Sequence, residues 1–584
     1  MTSPYPVFHR TLYLLWGVVA LLLPAQAKPQ LFPPVHYPAG YFRYPVDARI
    51  GIAADYGELR PNHYHMGLDC RTNQVQNRPV MAAAGGFVSH VRIEPFGFGR
   101  AIYIQHPNGL TTVYGHLNRF FPALERYVKD RQYQLKSWEV FLDIPAGRFP
   151  VAKGQLIAYS GSTGGSLGPH CHFEIRDTRT DKVLNPLLFG LPIPDHVPPT
   201  LVRLAVYDRN ISTYSQKPRL YPLQKTSGGY RPLPSTIVVP SDRVSFGISA
   251  FDRVSGSSIP TGIFESVLYV DQKPVMGFRI DSMTYVETRY VNGNIDYRTR
   301  AAGGPFIQHL SRLPGCPEGI YRDFSGDGVI TLRDHRPHRV KVVVKDAAGN
   351  STGLNFWVEK ASDLPDRPLP RESDRHDPLE FKPGNMNIFS NDRLDVFLGP
   401  RAIYDSFAFA FRDLGALVPG TYSDLLSVES GLVPLQDSLT LRIRATEPVP
   451  EILEGHMLIR RTWEGESEVV RAVRQGDWYE GKFRNFGNFQ LVADQEPPII
   501  GAGFREGAHL SRASRLVIYA KDAYGPLRRF TGELDGKWLL FSNDKQKAFI
   551  YNFDAHCPPG RHTLRIIAED QAGNAAERTW HFTR

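Results

Sequence analysis

Hydrophobic and polar residues alternate with a period of two in short runs along most of this 584-residue chain, the pattern of β-strands that bury one face. VKVVVKD within His338 to Asn350 and LRIIAED within His562 to Asn574 show it most plainly. Each run closes on Ala-Gly-Asn, which offers residues tolerant of positive φ at a turn. The two runs belong to a longer similarity. Arg243 to Gly256 (RVSFGISAFDRVSG) matches Arg515 to Gly525 (RLVIYAKDAYG), and each is followed by a strand-turn-strand signal, VLYVDQKPV from Val267 and GELDGKWLL from Gly532. One β-sandwich plan therefore occurs twice, enlarged by insertions over residues 198–361 and compact over residues 497–584.

The two copies resemble bacterial immunoglobulin-like modules. The segment 379–494 between them also reads as strands but holds no copy of the repeat. Breaks in the alternation set the boundaries: the Pro-studded stretch Leu191 to Thr200, the polar, Pro-rich run Ser362 to Pro378, and Gln495 to Pro498. A chain of this length exceeds one hydrophobic core and implies about four domains. With 42% apolar and 22% charged residues, and frequent Gly, Pro, Tyr and Phe, the composition fits a folded, mainly β protein.

The first residues depart from the pattern. His9 and Arg10 precede an apolar run from Leu12 to Leu23, and Ala25-Gln26-Ala27 suits signal peptidase, so residues 1–27 read as a signal peptide. An apolar run of about 12 residues falls short of the roughly 20 that span a bilayer, and no later run could cross one. The formal net charge of +9 is scattered, with no basic block. That suits work against an anionic envelope. Together with export it argues against nucleic acid as a partner.

Candidate chemistry is confined to the domain over residues 28–195. It holds three motifs in order: His65-Met66-Gly67-Leu68-Asp69, then Tyr114-Gly115-His116-Leu117, then Gly168-Pro169-His170-Cys171-His172-Phe173-Glu174. Each alone is weak, since HxH arises by chance and a single His is more often a satisfied core or surface residue. Together they supply what a catalytic zinc needs: three ligands drawn from imidazole nitrogen and carboxylate oxygen, with a fourth position left for water. Proton transfer then requires an imidazole off the metal. If Gly168 to Glu174 is a strand, His170 and His172 share one face and Cys171 the other. The pattern does not say which of the two histidines is the ligand.

The run from Tyr44 to Phe189 is similar to the lysostaphin/LytM-type zinc metallopeptidase domain, including GRAIYIQHPNGLTTVYGHL (Gly99 to Leu117) and VAKGQLIAYSGSTGGSLGPHCHFEIR (Val151 to Arg176). That resemblance implies a β-sheet peptidase fold of the duplicated hybrid motif kind. It also implies His65, Asp69 and His172 as zinc ligands, His116 and His170 as catalytic residues, and peptidoglycan peptides as substrate. Gly85, Ser162 and Cys171 depart from the usual family residues without removing a ligand. The stretch Asn118 to Pro150 is longer than expected and reads either as a wall of the substrate groove or as a surface excursion.

Other residues are weighed against these. His63, two before His65, is the rival ligand; His90 and His106 match no ligand position; Asn62 and Tyr114 lie near enough to the motifs to line a cleft. Cys70 and Cys171, both turned from the metal, are either bridged or two buried thiols. Asp323 to Asp334 (DFSGDGVITLRD) has the spacing of a Ca2+ loop, with Asp323, Ser325, Asp327 and Asp334 as oxygen ligands. Nearby prolines and the strand from His338 favour a hairpin with exposed acids instead. The reading overall is an exported zinc endopeptidase of the cell envelope, acting in the periplasm or beyond it, with β modules open to an envelope protein partner. The alternatives are a non-catalytic envelope regulator and an adhesin or scaffold.

Overall fold

Strands dominate, in keeping with the alternation. The structure is a computed structural model that describes residues 31–33, 36–334, 336–361, 379–415 and 418–584. The signal peptide 1–27 and the run Ser362 to Pro378 lie outside the described residues. Tyr37–Arg584 form one compact unit.

In the first domain β1 (Ile52–Ala54), β2 (Leu68–Arg71), β3 (Gly86–Ile93), β4 (Arg100–Gln105), β5 (Leu110–Gly115), β6 (Val140–Asp143) and β7 (His170–Asp177) run through a ten-stranded sheet in the order β1-β2-β7-β5-β4-β3-β6. β7 lies between β2 and β5, antiparallel to both. Its register sets His172 opposite Asp69 on one side and Gly115 on the other. All three motifs thereby meet on neighbouring strands. One face of these strands carries Cys70, Tyr114, Cys171 and Phe173, each fully buried in the domain core. Burying a side chain of the size of Phe contributes about 1.5–3 kcal/mol, so the core face fixes the register that aligns the polar face.

Cys70 and Cys171 are cross-strand neighbours in that core and are free thiols, the second of the two readings. Burial raises both thiols above their ordinary range. Tyr114 is a core residue too: its hydroxyl accepts from the Ala83 amide and from Thr112, so it does not line a cleft.

The long stretch Asn118 to Pro150 contains α1 (Pro122–Leu135) and the edge strand β6. Pro122 occupies the first helical turn, where its missing N–H is no loss, and Lys136 ends the helix at φ 49. Leu124 and Val128 face the core. The outer face instead serves the C-terminal module: Lys129 pairs with Asp554, and Tyr133 stacks on His556 at 3.8 Å. The stretch is thus a docking platform.

The two sandwich copies share their pairing. His338–Lys345 pairs with Ser351–Lys360, and Arg561–Glu569 with Ala575–Thr583, both antiparallel. At the two turns Gly349 and Gly573 adopt φ 94 and φ 95, as the Ala-Gly-Asn ending requires. The second hairpin signal behaves likewise, with Asp271 and Gln272 at φ 47 and 70 and Asp535 and Gly536 at φ 50 and 76, the double positive φ of a tight hairpin turn. Between the copies, residues 379–494 build two five-stranded sheets and a short two-stranded one. The first copy is continuous with the peptidase sheet through Ser282–Met283, which pairs with Val183–Leu184.

Candidate metal centre

Asp69 and His172 face each other across β2 and β7, and His65 arrives from the turn before β2. All three are at least nine-tenths buried. His65 Nε2 lies 3.0 Å from Asp69 Oδ1 and 3.1 Å from His172 Nδ1, and His172 Nδ1 lies 3.0 Å from Asp69 Oδ1. A tetrahedral zinc bonded at about 2.0–2.2 Å would separate its ligand atoms by roughly 3.3 Å. The observed triangle is close to that.

The surroundings decide which nitrogens are bare. His65 Nδ1 is 2.7 Å from the Asp55 carbonyl, which can only accept, so this nitrogen carries the proton and Nε2 faces the centre with its lone pair. His172 Nε2 is 3.0 Å from Glu174 Oε1. Burial raises the Glu174 carboxyl, but Arg176, His172 and the Tyr285 hydroxyl outweigh it and hold the group at about 2, so it is ionised and accepts. In neutral His172, Nδ1 is therefore also bare. With that ring neutral, two lone pairs and a carboxylate oxygen converge, an arrangement that a cation satisfies. Burial would lower His172, yet Asp69 and Glu174 raise it to about 9. Without a cation the ring therefore carries a proton on Nδ1 that bonds Asp69, and a metal ion would take the place of that proton.

Gly67 shows why the first motif contains glycine. A Cβ there would stand 2.6 Å from the Phe173 carbonyl and 2.8 Å from the His172 ring, contacts that would push the ligand off its position.

Two further imidazoles border the centre. His170 Nδ1 lies 2.8 Å from the Gly168 carbonyl and its Nε2 lies 3.3 Å from Asp69 Oδ1. His116 Nδ1 lies 2.8 Å from the Thr163 carbonyl. In both rings Nδ1 donates to a carbonyl; in neutral His116 this leaves Nε2 free to accept, whereas His170 Nε2 faces the Asp69 carboxylate. The rings are 4.7 Å apart. Burial, with His170 and His172 adding to it, lowers His116 to about 3, so it stands neutral. His116 also adopts φ 58, rare outside glycine, held by its amide bond to the Phe98 carbonyl.

The remaining sequence candidates fall elsewhere. His63 is exposed and bonds the Pro61 carbonyl. His106 is buried between the Gly85 carbonyl and Thr112, while His90 pairs with Asp143 on the far edge strand. Asn62 accepts from Asn292 of the first sandwich copy. The calcium-loop acids do not converge: Asp323 pairs with Arg312, Asp327 accepts from the Val329 amide, and Asp334 pairs with His338.

Sequence reasoning missed Glu174 and Tyr285. Glu174 was within reach, because the period that places His170 and His172 on one face continues to Glu174 and Arg176. Tyr285 comes from the first sandwich copy, 111 residues away, and no local pattern marks it. The C-terminal module also reaches this rim. Asp544 accepts from the Gly164 amide at 2.7 Å, and Lys545 donates to the Ser166 carbonyl at 2.7 Å.

Three convergent donor atoms that could hold a metal ion, with two further imidazoles beside them on the sheet, form the candidate centre. Residues 63–133, which include His65, Asp69 and His116, match Peptidase family M23, and residues 380–494 match the Zu5-like domain. The first domain is accordingly an M23, lysostaphin/LytM-like peptidase domain. The chain is similar to an uncharacterized metalloprotease of Haemophilus influenzae, 30% identical over 26% of this chain and 28% of that protein. It is also similar to the DD-carboxypeptidase/endopeptidase Mpg of Neisseria meningitidis serogroup B, 28% identical over 29% of this chain and 30% of that one. It therefore spans less than a third of these relatives' length. Among solved structures, the catalytic domain of the prophage-encoded M23 protein EnpA from Enterococcus faecalis is 24% identical, with 25% of this chain and 96% of that chain covered and a TM-score of 0.19.

Proposed function

We propose that the protein is an exported zinc metallo-endopeptidase that hydrolyses peptide bonds in the cross-links or stem peptides of peptidoglycan. The convergence of His65 Nε2, Asp69 Oδ1 and His172 Nδ1 at 3.0–3.1 Å, with the outer nitrogens of both rings already bonded to the Asp55 carbonyl and Glu174, carries this reading. Bound zinc supplies a water of lowered pKa and polarises the scissile carbonyl. The chain's own residues do the rest. His65, Asp69 and His172 hold the cation, with net positive charge left to favour a developing oxyanion. His170 and His116 stand beside it to orient or deprotonate the attacking water and to stabilise the developing oxyanion. Glu174, anchored by Arg176 and Tyr285, keeps the His172 ring in its ligating tautomer.

The substrate rests on the named relatives, among them a peptidoglycan DD-endopeptidase of Vibrio cholerae, 28% identical over 27% of this chain and 31% of that protein. Export rests on residues 1–27. The test is digestion of purified peptidoglycan by the mature protein. Chelator-sensitive release of cross-link fragments, lost in His170→Ala and in His65→Ala, is the expected result; undiminished release by His65→Ala would reject the assignment.

A further inference from the structure

The two sandwich copies repeat more than their strands. Asp195 lies in the linker that leads into the first copy, Asp252 follows the strand Arg243–Phe251, and Asp346 follows His338–Lys345. Their ligand oxygens all lie within 4.8 Å of one another. Asp494, Asp522 and Asp570 repeat the arrangement in the second copy, from the equivalent linker and the equivalent strand ends. The sequence carries the matching signs: Asp-x-x-Pro-Pro at Asp195 and Asp494, and Asp-x-Ala-Gly-Asn at Asp346 and Asp570.

Acidic residues often gather without consequence, but two of the three in each triad are buried, and one of those two is incompletely bonded. Asp252 is 4% exposed and its Oδ1 has no hydrogen-bond donor; Asp494 is 2% exposed and its Oδ2 has none. A buried carboxylate oxygen without a donor is unfavourable, and this defect recurs in both copies. Burial, reinforced by Asp346 and Asp195, raises Asp252 to about 7, and burial with Asp522 and Asp570 raises Asp494 to about 6.

What bonds exist hold the acids in place. Asn350 gives its amide and its side-chain nitrogen to Asp346 and also reaches the Asp195 carbonyl; Asn574 does the same for Asp570 and the Asp494 carbonyl. The linker acid is thus carried up to the two acids at the strand ends, and like charges are kept together.

We propose that each triad is a binding site for a calcium ion, which fastens the linker to the β-sandwich that follows it. The donors are oxygens alone, with no imidazole or thiolate, which suits a hard cation. Calcium tolerates irregular sets of carboxylate and carbonyl oxygens, whereas magnesium demands a near-ideal octahedron.

The test uses the full mature chain, stripped with a chelator, resupplied with zinc and then titrated with calcium chloride, with magnesium chloride in parallel. Equilibrium dialysis should find two calcium ions per chain for wild type, one for Asp252→Asn, one for Asp494→Asn and none for the double variant. One millimolar calcium should raise the wild-type melting temperature by about 5 °C and leave the double variant unmoved. In calcium-free buffer the Asn variants should melt at or above wild type, since repulsion among the acids is relieved, and this shows that they fold. Absence of calcium binding by wild type, or calcium retained by the double variant, would overturn the proposal. Saturation by magnesium at lower concentration than calcium would overturn the choice of cation.

Discussion

The histidine centre of the peptidase domain and the aspartate triads of the sandwich copies are both buried clusters of metal-ligating atoms, and they differ in how their lone pairs are prepared. At the first, backbone carbonyls and Glu174 take up the outer imidazole protons, so that directed nitrogen and oxygen donors meet at 3.0–3.1 Å. At the triads, only carboxylates meet, in a looser set within 4.8 Å, held by one bridging Asn each and by nearby backbone amides. Fixed geometry with nitrogen donors suits zinc and leaves a coordination position for chemistry. Loose oxygen donors suit a structural ion. The difference teaches that the second layer of hydrogen bonds, more than proximity of acids and histidines, separates a catalytic centre from a clasp.

The comparison can be broken first at the unligated imidazoles. His170→Ala and His116→Ala should each lower the rate of cross-link cleavage by about 10²–10⁴-fold while zinc content, read by atomic emission, stays that of wild type. Next comes the second layer. Glu174→Gln cannot hold the His172 tautomer as an ionised carboxylate does, and zinc affinity measured by competition with a chelator should fall about 10–100-fold. Gly67→Ala, whose Cβ would meet the Phe173 carbonyl, should weaken zinc in the same assay and lower the melting temperature.

Smaller effects are expected at the clasp. Asn574→Ala removes the brace on Asp570 and should destabilise the last module by about 1 kcal/mol in urea unfolding. The smallest concerns the docking of that module on α1. Burial raises Asp554, but Lys129, Tyr551 and the His556 amide outweigh it and hold it at about 2, below the ordinary carboxylate value near 3.9. Its contribution is therefore complete above about pH 4 and is lost as pH falls toward 2. Asp554→Asn should flatten that part of the pH–stability curve and leave neutral activity unchanged.

Much of this was legible in the sequence. The period-two runs disclosed the sandwich repeat because each strand has one wet face, and the turn glycines Gly349 and Gly573 stand at the positive φ that Ala-Gly-Asn implies. The three motifs pointed to residues that the fold brings together, because the register of β7 sets His172 opposite Asp69 with His65 beside them. Tyr114 was misplaced because nearness in sequence says nothing of which face of β5 a side chain takes. Tyr285 and the contacts of Asp544 and Lys545 were invisible, since they depend on how distant modules pack. The role of α1 was hidden for the same reason: its partners, Asp554 and His556, lie more than 400 residues away.

The central claim is that His65, Asp69 and His172, and no neighbouring histidine, hold the metal. Its most direct test is the zinc content of purified mature protein after dialysis, compared among wild type, His63→Ala and His65→Ala, each checked for folding by its melting curve. One zinc per chain in wild type and in His63→Ala, with none in His65→Ala, is the predicted result. Zinc retained by His65→Ala, or lost from a folded His63→Ala, would contradict the account.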